Sequence, residues 1–152
     1  MTARSWPRRL LALAGALMLA TTWGSLVQTQ FNLQALTPFV EVPASVRWTT
    51  SMQDLAGYGP MHLGLVAASW LVALPVAMWA ARRWPQARTL LYALAAGVGL
   101  IAAIRIADVV APMPVLIDAT RGTGGLLAVA AGSALGGALL AHWTRPRAHP
   151  RG

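Results

Sequence analysis

The sequence contains no cysteine and no lysine, and it carries little charge of either sign. The absence of cysteine excludes disulfide bonds, thiolate catalysis, and zinc or iron–sulfur sites held by thiolates. All twelve basic residues are arginine, which we attribute to a GC-rich genome rather than to a chemical requirement. Charged residues make up 11% of the chain, whereas a soluble domain carries about 25%. Little of this chain is suited to facing water.

Apolar residues make up 57% of the 152 residues, and the mean hydropathy is +0.56. A soluble domain of this length has a single core and cannot hide so much apolar surface, whereas a bilayer solvates it. The net charge of +8 suggests nucleic acid at first, but nucleic-acid-binding proteins spread their basic residues over a face or a helix. Here the arginines form short clusters between long apolar runs. The pattern predicts membrane lipids as partners, and no nucleic acid.

Four apolar segments cover residues 10–27, 61–81, 89–110 and 122–143. Each is long enough to cross about 30 Å of hydrocarbon as a helix rising about 1.5 Å per residue. The segments are rich in Ala, Leu and Gly and lack the alternating pattern of a transmembrane β-barrel. We therefore predict an all-α fold in which residues 1–152 form a single integral membrane domain. This domain is a polytopic transmembrane four-helix bundle, with its helices running up-down-up-down.

The first apolar segment follows Arg8 and Arg9, as the hydrophobic core of a secretory signal peptide does. Two features favour its retention as a transmembrane helix. The residues after Ala20 match a small-residue cleavage site poorly, and the apolar run is longer than a typical signal core. We expect this segment to be retained, and cleavage is the alternative.

Arginine is distributed unequally between the two sides of the predicted bundle. Nine of the twelve lie before the first segment, between the second and third, or after the fourth. Cytoplasmic loops are the ones that collect arginine, so we predict that both termini are cytoplasmic. The pattern resembles that of small inner-membrane proteins of Gram-negative bacteria, which implies a location in the inner membrane but no activity. The nine residues are Arg4, Arg8, Arg9, Arg82, Arg83, Arg88, Arg145, Arg147 and Arg151.

The predicted outer connection between the first two helices is long, covering residues 28–60, and apolar residues recur in it. Such a loop is expected to lie on the membrane or over the helix ends, and so to be structured. Thr50 to Gln53 have the spacing of a capping box, which predicts a short helix over about residues 51–56 with Met52 and Leu55 on its apolar side. The polar tail at residues 147–152 is expected to be disordered.

Arg105 and Asp108 lie three residues apart near the outer end of the third segment, so they share one helix face. An unpaired charge at this depth in lipid is costly. One interpretation is a structural ion pair, with the arginine stem reaching outward. The other is a pair that lines a polar pocket for a ligand or a proton.

Further polar side chains are expected at the same outer level, contributed by the first segment, the loop and the start of the second segment. We predict one connected polar site centred on Arg105 and Asp108, which binds a ligand or a partner. An ordinary solvated surface is the alternative, and we favour it for Gln34 and Asp118. The further candidates for the site are Gln28, Arg47, Asp54 and His62.

We predict no cofactor, no metal site and no catalytic residue. The predicted topology puts His62 outside and His142 and His149 inside, so His62 and His142 cannot meet across about 30 Å to ligate a haem. No metal-binding or hydrolase motif occurs. A metal site made of His62, Asp54 and Asp108 is geometrically conceivable, and we do not favour it. The run from Gly122 to Gly125 has neither the strand nor the lysine of a phosphate-binding loop.

Small residues recur at spacings of three and four in the fourth segment, at Gly125, Ala128, Gly132 and Gly136. This stripe predicts close helix packing, either within the chain, which we favour, or with a second copy in a homo-oligomer. Val129 is expected to face lipid.

These observations favour a non-enzymatic membrane protein, namely an accessory subunit of a larger complex or a ligand- or lipid-binding protein. One alternative is a small oligomeric transporter or channel. A second is an enzyme acting on a lipid-linked substrate at the outer leaflet. The sequence motifs do not choose among these classes.

Overall fold

The computed structural model describes residues 5–111 and 117–145, and the fold within these ranges is helical. No strand occurs among the described residues, whose α-helices are α1 (Ser5–Leu36), α2 (Ala44–Gly57), α3 (Gly59–Arg83), α4 (Arg88–Val110) and α5 (Thr123–Trp143). Four of them, α1, α3, α4 and α5, are long and apolar enough to cross a membrane. The prediction of an all-α chain with four such helices is confirmed. The tail predicted to be disordered, residues 147–152, lies outside the described residues.

α1 continues well past residue 27, where the first apolar segment ends, and reaches Leu36. Its 32 residues correspond to about 48 Å, which exceeds the roughly 30 Å of hydrocarbon. The polar side chains from Gln28 onward do not break it, because polarity alone does not interrupt the backbone hydrogen bonds. α1 ends just before Pro38, since proline disfavours helical backbone at the residue that precedes it. The predicted outer loop therefore begins later than residue 28.

The short helix predicted at about residues 51–56 is part of a longer one. α2 begins at Ala44, directly after Pro43, and has 14 residues. The capping-box signal gave too late a start, because the Ser51 hydroxyl donates backward to the carbonyl of Arg47 (2.8 Å) within the helix. Tyr58 has helical backbone angles and joins α2 to α3 without a loop.

α5 is the most buried of the four long helices. Of its most apolar stretch, 56% is buried, against 22–33% for the other three. A Cβ atom on Gly136 would lie 2.7 Å from the carbonyl oxygen of Ala16 and 3.0 Å from the ring of Trp70. α1 and α3 thus approach the backbone of α5 more closely than a larger side chain would allow.

The rest of the predicted glycine stripe also faces partners within the chain. A side chain on Gly132 would overlap the indole of Trp23, and one on Gly125 would overlap the carbonyl of Ala119. Val129 was expected to face lipid, and this is wrong because the residue is fully buried. It lies four residues after Gly125 and three before Gly132, so it belongs to the same helix face.

A buried hydrogen-bonded chain joins three of the long helices. The indole nitrogen of Trp70 on α3 donates to the hydroxyl of Ser133 on α5 (2.9 Å), which donates to the carbonyl of Ala96 on α4 (2.8 Å). The Trp70 indole and the Ser133 hydroxyl therefore both have a partner in this apolar interior, as burial requires. These hydrogen bonds require one relative orientation of the three helices, in an interface otherwise rich in alanine and glycine.

The two ends of the helical assembly differ in chemistry. At one end, which we call the arginine-rich end, Arg9, Arg82, Arg88 and Arg145 line a cleft. At the other, which we call the α2 end, α2 packs against α1 and α3. A short 3₁₀-helix, Asp118–Arg121, also lies there, before α5.

Candidate functional site

Most of the polar residues expected to carry function lie at the α2 end. One face of α1 is polar there and buried against the other helices: Thr21, Ser25, Gln28 and Thr29 are all buried. Their spacings of three and four residues place them on one face of the helix. Lipid cannot satisfy hydroxyl and amide groups, so this face turns toward other parts of the protein.

α2 is attached to this face by hydrogen bonds between side chains. The Thr29 hydroxyl lies 2.8 Å from a carboxylate oxygen of Asp54 and 3.0 Å from the carbonyl of Ser25 in its own helix. The amide nitrogen of Gln30 donates to the Ser51 hydroxyl (3.1 Å). These contacts join α2, which is not one of the four candidate membrane spans, to α1.

Arg47, one of the predicted site residues, is part of the same attachment. Its guanidinium donates to the amide oxygen of Gln30 (3.0 Å), so both ends of the Gln30 side chain bind α2. Arg47 therefore already has a hydrogen-bond partner within the chain. Charged as well as neutral side chains attach α2 to α1.

Gln28, also predicted for the site, serves a separate connection. Its amide oxygen accepts a hydrogen bond from the backbone N–H of Ala119 (2.9 Å). This bond fastens the 3₁₀-helix before α5 to the polar face of α1. Gln28 is thus buried by the chain itself, whereas Asp118 is exposed, as expected for a solvated residue.

His62 is fully buried between α3 and α1. The Tyr58 hydroxyl lies 3.1 Å from Nδ1 of His62, and the two rings stack with their centroids 5.5 Å apart. Burial raises the pKa of Tyr58, so its hydroxyl keeps its proton. This hydroxyl can donate to Nδ1 or accept from it, according to the tautomer of the imidazole.

The Nε2 side of His62 faces α1 at Gly24, where any side chain would overlap the imidazole. Nε2 has no hydrogen-bond partner among the described residues, and the same holds for the hydroxyls of Thr21 and Ser25. Three polar groups thus lie buried and unpaired on or against the polar face of α1. Such groups are normally satisfied by ordered water.

Arg105 and Asp108 pair on α4, and the Arg105 side chain lies at the surface of the helical assembly. Its side chain is 53% exposed and that of Asp108 is 11% exposed, and the nearest charged atoms are 3.8 Å apart. A long contact with an exposed guanidinium is typical of a weak surface ion pair. The attachment of α2 runs through Thr29, Gln30 and Asp54 and does not involve Arg105.

Sequence reasoning did not single out Thr29, Ser51 or Tyr58. The available signal was the run Thr21, Ser25, Gln28 and Thr29, whose spacing predicts one polar helix face once α1 is allowed to continue past residue 27. Among the described residues, no group of three or more His, Cys, Asp or Glu side chains is placed to hold a metal ion.

Comparisons with protein-family models, with curated proteins and with solved structures find no match to this chain.

α2 is oriented with its polar side inward. Arg47, Ser51 and Asp54 contact α1, while the other sides of the helix expose Val46, Trp48 and Met52 together with the polar Ser45, Thr49 and Gln53. A helix that packs on a soluble protein buries its apolar face and exposes its polar one. The connection before α2 adds two more exposed apolar side chains, Phe39 and Val40.

Proposed function

We propose that this chain is a non-catalytic, multi-pass protein of the bacterial inner membrane that acts as an accessory subunit of a larger membrane complex. In this proposal the outward side of α2 binds the partner protein. The observation that carries it is the inverted orientation of α2, which fixes the helix through polar groups and presents Trp48 and Met52 outward.

The composition of the outward side of α2 supports a protein partner. Trp48 is 67% exposed and Phe39 is 83% exposed. Aromatic residues and methionine are enriched in the cores of protein interfaces, and lysine and acidic residues are depleted there. The outward side of α2 has this composition, and the hydrogen bonds to α1 hold it in one orientation before any partner arrives.

We further propose an up-down-up-down arrangement with both termini in the cytoplasm. The partition of arginine supports it, and so do contacts between helix ends. The guanidinium of Arg88, the first residue of α4, donates to the hydroxyl of Thr144, just after α5 (2.9 Å). On this topology the arginine-rich end is cytoplasmic and the α2 end is periplasmic.

A transport function has less support, because the polar groups at the two ends are separated by an apolar interior. Ala16, Val66, Leu100 and Val129 are all fully buried in the core that lies between them. An enzymatic function has less support as well, because Arg47, Asp54 and Gln28 already bond within the chain.

The proposal is tested by removing the outward aromatic group of α2. Trp48→Ser is compared with Trp79→Ser, a matched control on α3 because Trp79 is 70% exposed and Trp48 is 67% exposed. Tagged chains are expressed in the native host and purified in mild detergent, and the co-purifying proteins are identified and quantified. We expect a defined membrane protein to co-purify with the wild type and with Trp79→Ser, and to be lost with Trp48→Ser.

A second measurement separates a protein partner from a lipid anchor. Because the chain has no cysteine, Met52→Cys provides a single site for a spin label. In native membranes the label is expected to be shielded from both oxygen and a water-soluble nickel complex. High accessibility to oxygen alone would place the outward side of α2 in lipid and would refute the subunit proposal.

A further inference from the structure

A cleft of about 820 Å³ opens at the arginine-rich end, and all four long helices contribute to it. Its charged side chains are Arg9 from α1, Arg82 from α3, Arg88 from α4 and Arg145 just after α5. The acidic residues of the chain are Glu41, Asp54, Asp108 and Asp118. None of them lines the cleft. Four positive charges therefore surround this space, and no carboxylate within residues 5–111 and 117–145 lines it to offset them.

Two of these arginines are positioned by neutral groups. The guanidinium of Arg88 lies 4.6 Å above the ring of Tyr92 and donates to the hydroxyl of Thr144. Arg145 donates to the hydroxyl of Thr89 (2.9 Å). A guanidinium has five N–H donors, so these contacts orient the charge and leave donors for an anion. Arginine binds phosphate oxygens through such donors in pairs.

The remaining wall of the cleft is apolar. Leu13, Leu74, Met78 and Leu140 line it, together with the ring of Tyr92. Each of these residues lies one or two helical turns further into a candidate membrane span than the nearest arginine of the cleft, so the apolar part of the cleft lies on the hydrocarbon side of the arginines. A soluble anion would contact only the arginines, whereas a lipid has both a charged phosphate and acyl chains to match the two parts.

We propose that the four-arginine cleft, whose polar lining also includes Gln86 and Thr144, binds an anionic glycerophospholipid, with its phosphate held by the arginines and an acyl chain along the apolar wall. Basic pockets between transmembrane helices bind the headgroups of anionic lipids in this way. The proposal requires that the chain lies in a bilayer, but it does not depend on a partner at α2.

The test measures binding by native mass spectrometry and by thermal stability of the intact chain in a nonionic detergent. Phosphatidylglycerol is compared with phosphatidylcholine, with glycerol 3-phosphate and with inorganic phosphate at equal concentrations. We expect phosphatidylglycerol to bind and raise the melting temperature, and the other three to have no comparable effect. If inorganic phosphate or glycerol 3-phosphate stabilises the chain equally, the cleft is a site for soluble anions and the lipid proposal is wrong.

Variants then locate the site. Arg82→Gln and Arg88→Gln are each expected to weaken phosphatidylglycerol binding about fivefold, since one basic residue near a membrane contributes about 1 kcal/mol. Arg121→Gln removes the same charge at the α2 end and is expected to leave binding unchanged. The Arg82 variant is the easier one to interpret, because Arg88 also bonds the end of α5 and its loss could alter packing. Equal loss in Arg82→Gln and Arg121→Gln would show that only net charge matters and would overturn the proposal.

Discussion

His62 on α3 occupies the space that a side chain at position 24 of α1 would need, so the imidazole and Gly24 interlock. The imidazole is fully buried and is held from the other side by the hydroxyl of Tyr58. The two helices therefore meet at a fixed distance and in a fixed register at the α2 end. Glycine is required at this position because of the close approach, since its backbone has ordinary helical geometry.

Gly24→Ala is expected to destabilise the protein by about 1–3 kcal/mol, because the added methyl group overlaps a rigid ring. Gly64→Ala is the control: it also lies within a long helix, and a side chain there meets nothing within 4 Å. Alanine at position 64 should leave stability equal or slightly higher, given its greater helix propensity. Thermal unfolding in detergent measures both. Equal stability of the two variants would contradict the interlock.

Gly136→Leu is expected to lower the melting temperature strongly, because the backbone of Ala16 and the ring of Trp70 leave no room for a side chain. The cost of forcing extra methylene groups into a packed interior is about 1–3 kcal/mol or more. Ala131→Leu adds similar bulk at an exposed position of the same helix and should be tolerated. If both variants melt at the temperature of the wild type, the glycines of α5 do not form its packing face.

Thr29→Val is expected to loosen α2, since it removes the donor to Asp54 and leaves that carboxylate with one bond fewer. A hydrogen bond to a charged group contributes about 1.5–3 kcal/mol. Thr49→Val is matched, because Thr49 also bonds the carbonyl four residues earlier but is exposed and bonds no other helix. Labelling of Met52→Cys in each background reports the mobility of α2. Only the Thr29 variant should increase it.

Arg105→Ala is expected to cost no more than about 1 kcal/mol, because the guanidinium is half-exposed and its contact with Asp108 is long. A double-mutant cycle with Asp108→Asn isolates the pair from the other interactions of each residue. A coupling energy of several kcal/mol would show that the pair is buried in the membrane-embedded protein and would restore it as a candidate site.

Tyr58 makes stability depend on alkaline pH. Burial raises its pKa above the ordinary value of 10.0, so the folded phenol keeps a proton that the unfolded chain releases. The contribution of Tyr58 to the free energy of unfolding is therefore fully present below pH 10. It falls as the pH rises above 10, by up to about 1.4 kcal/mol per pH unit. Tyr58→Phe loses the bond to His62 but cannot ionise, so its unfolding free energy should decline less steeply between pH 10 and 11. An unchanged slope would show that Tyr58 ionises freely in the folded protein.

The four long helices were predictable because their signal is compositional. Runs of Ala, Leu and Gly of sufficient length identify a span whatever the neighbouring helices do. The boundaries at the α2 end were not predictable in the same way. Polarity from Gln28 onward marks the end of an apolar run, but the helix ends only where proline interferes. In α1, the helix ends about nine residues after the apolar run does.

The polar site was harder to predict, because its partners come from α2. Whether Gln30 faces Arg47 or water depends on the direction in which α2 crosses α1, and no local pattern encodes that direction. Outward exposure of Trp48 could not be read from periodicity either, since the usual rule places the apolar side of a helix inward. The interpretation of Arg105 and Asp108 as the centre of the site stays a prediction, because a long side chain near a helix end can reach water from a deep Cα.

α5 has a consequence for biogenesis. It is the helix that the others pack around, yet it leaves the ribosome after them. Until it enters the bilayer, the indole nitrogens of Trp23 and Trp70 lack their acceptors, which are the carbonyl of Ala128 and the hydroxyl of Ser133. The earlier spans therefore wait in lipid as a partly open assembly. We expect a nascent chain that stalls after α4 to expose those donors together with Ala16 of α1 and Ala96 of α4, which are fully buried in the complete fold.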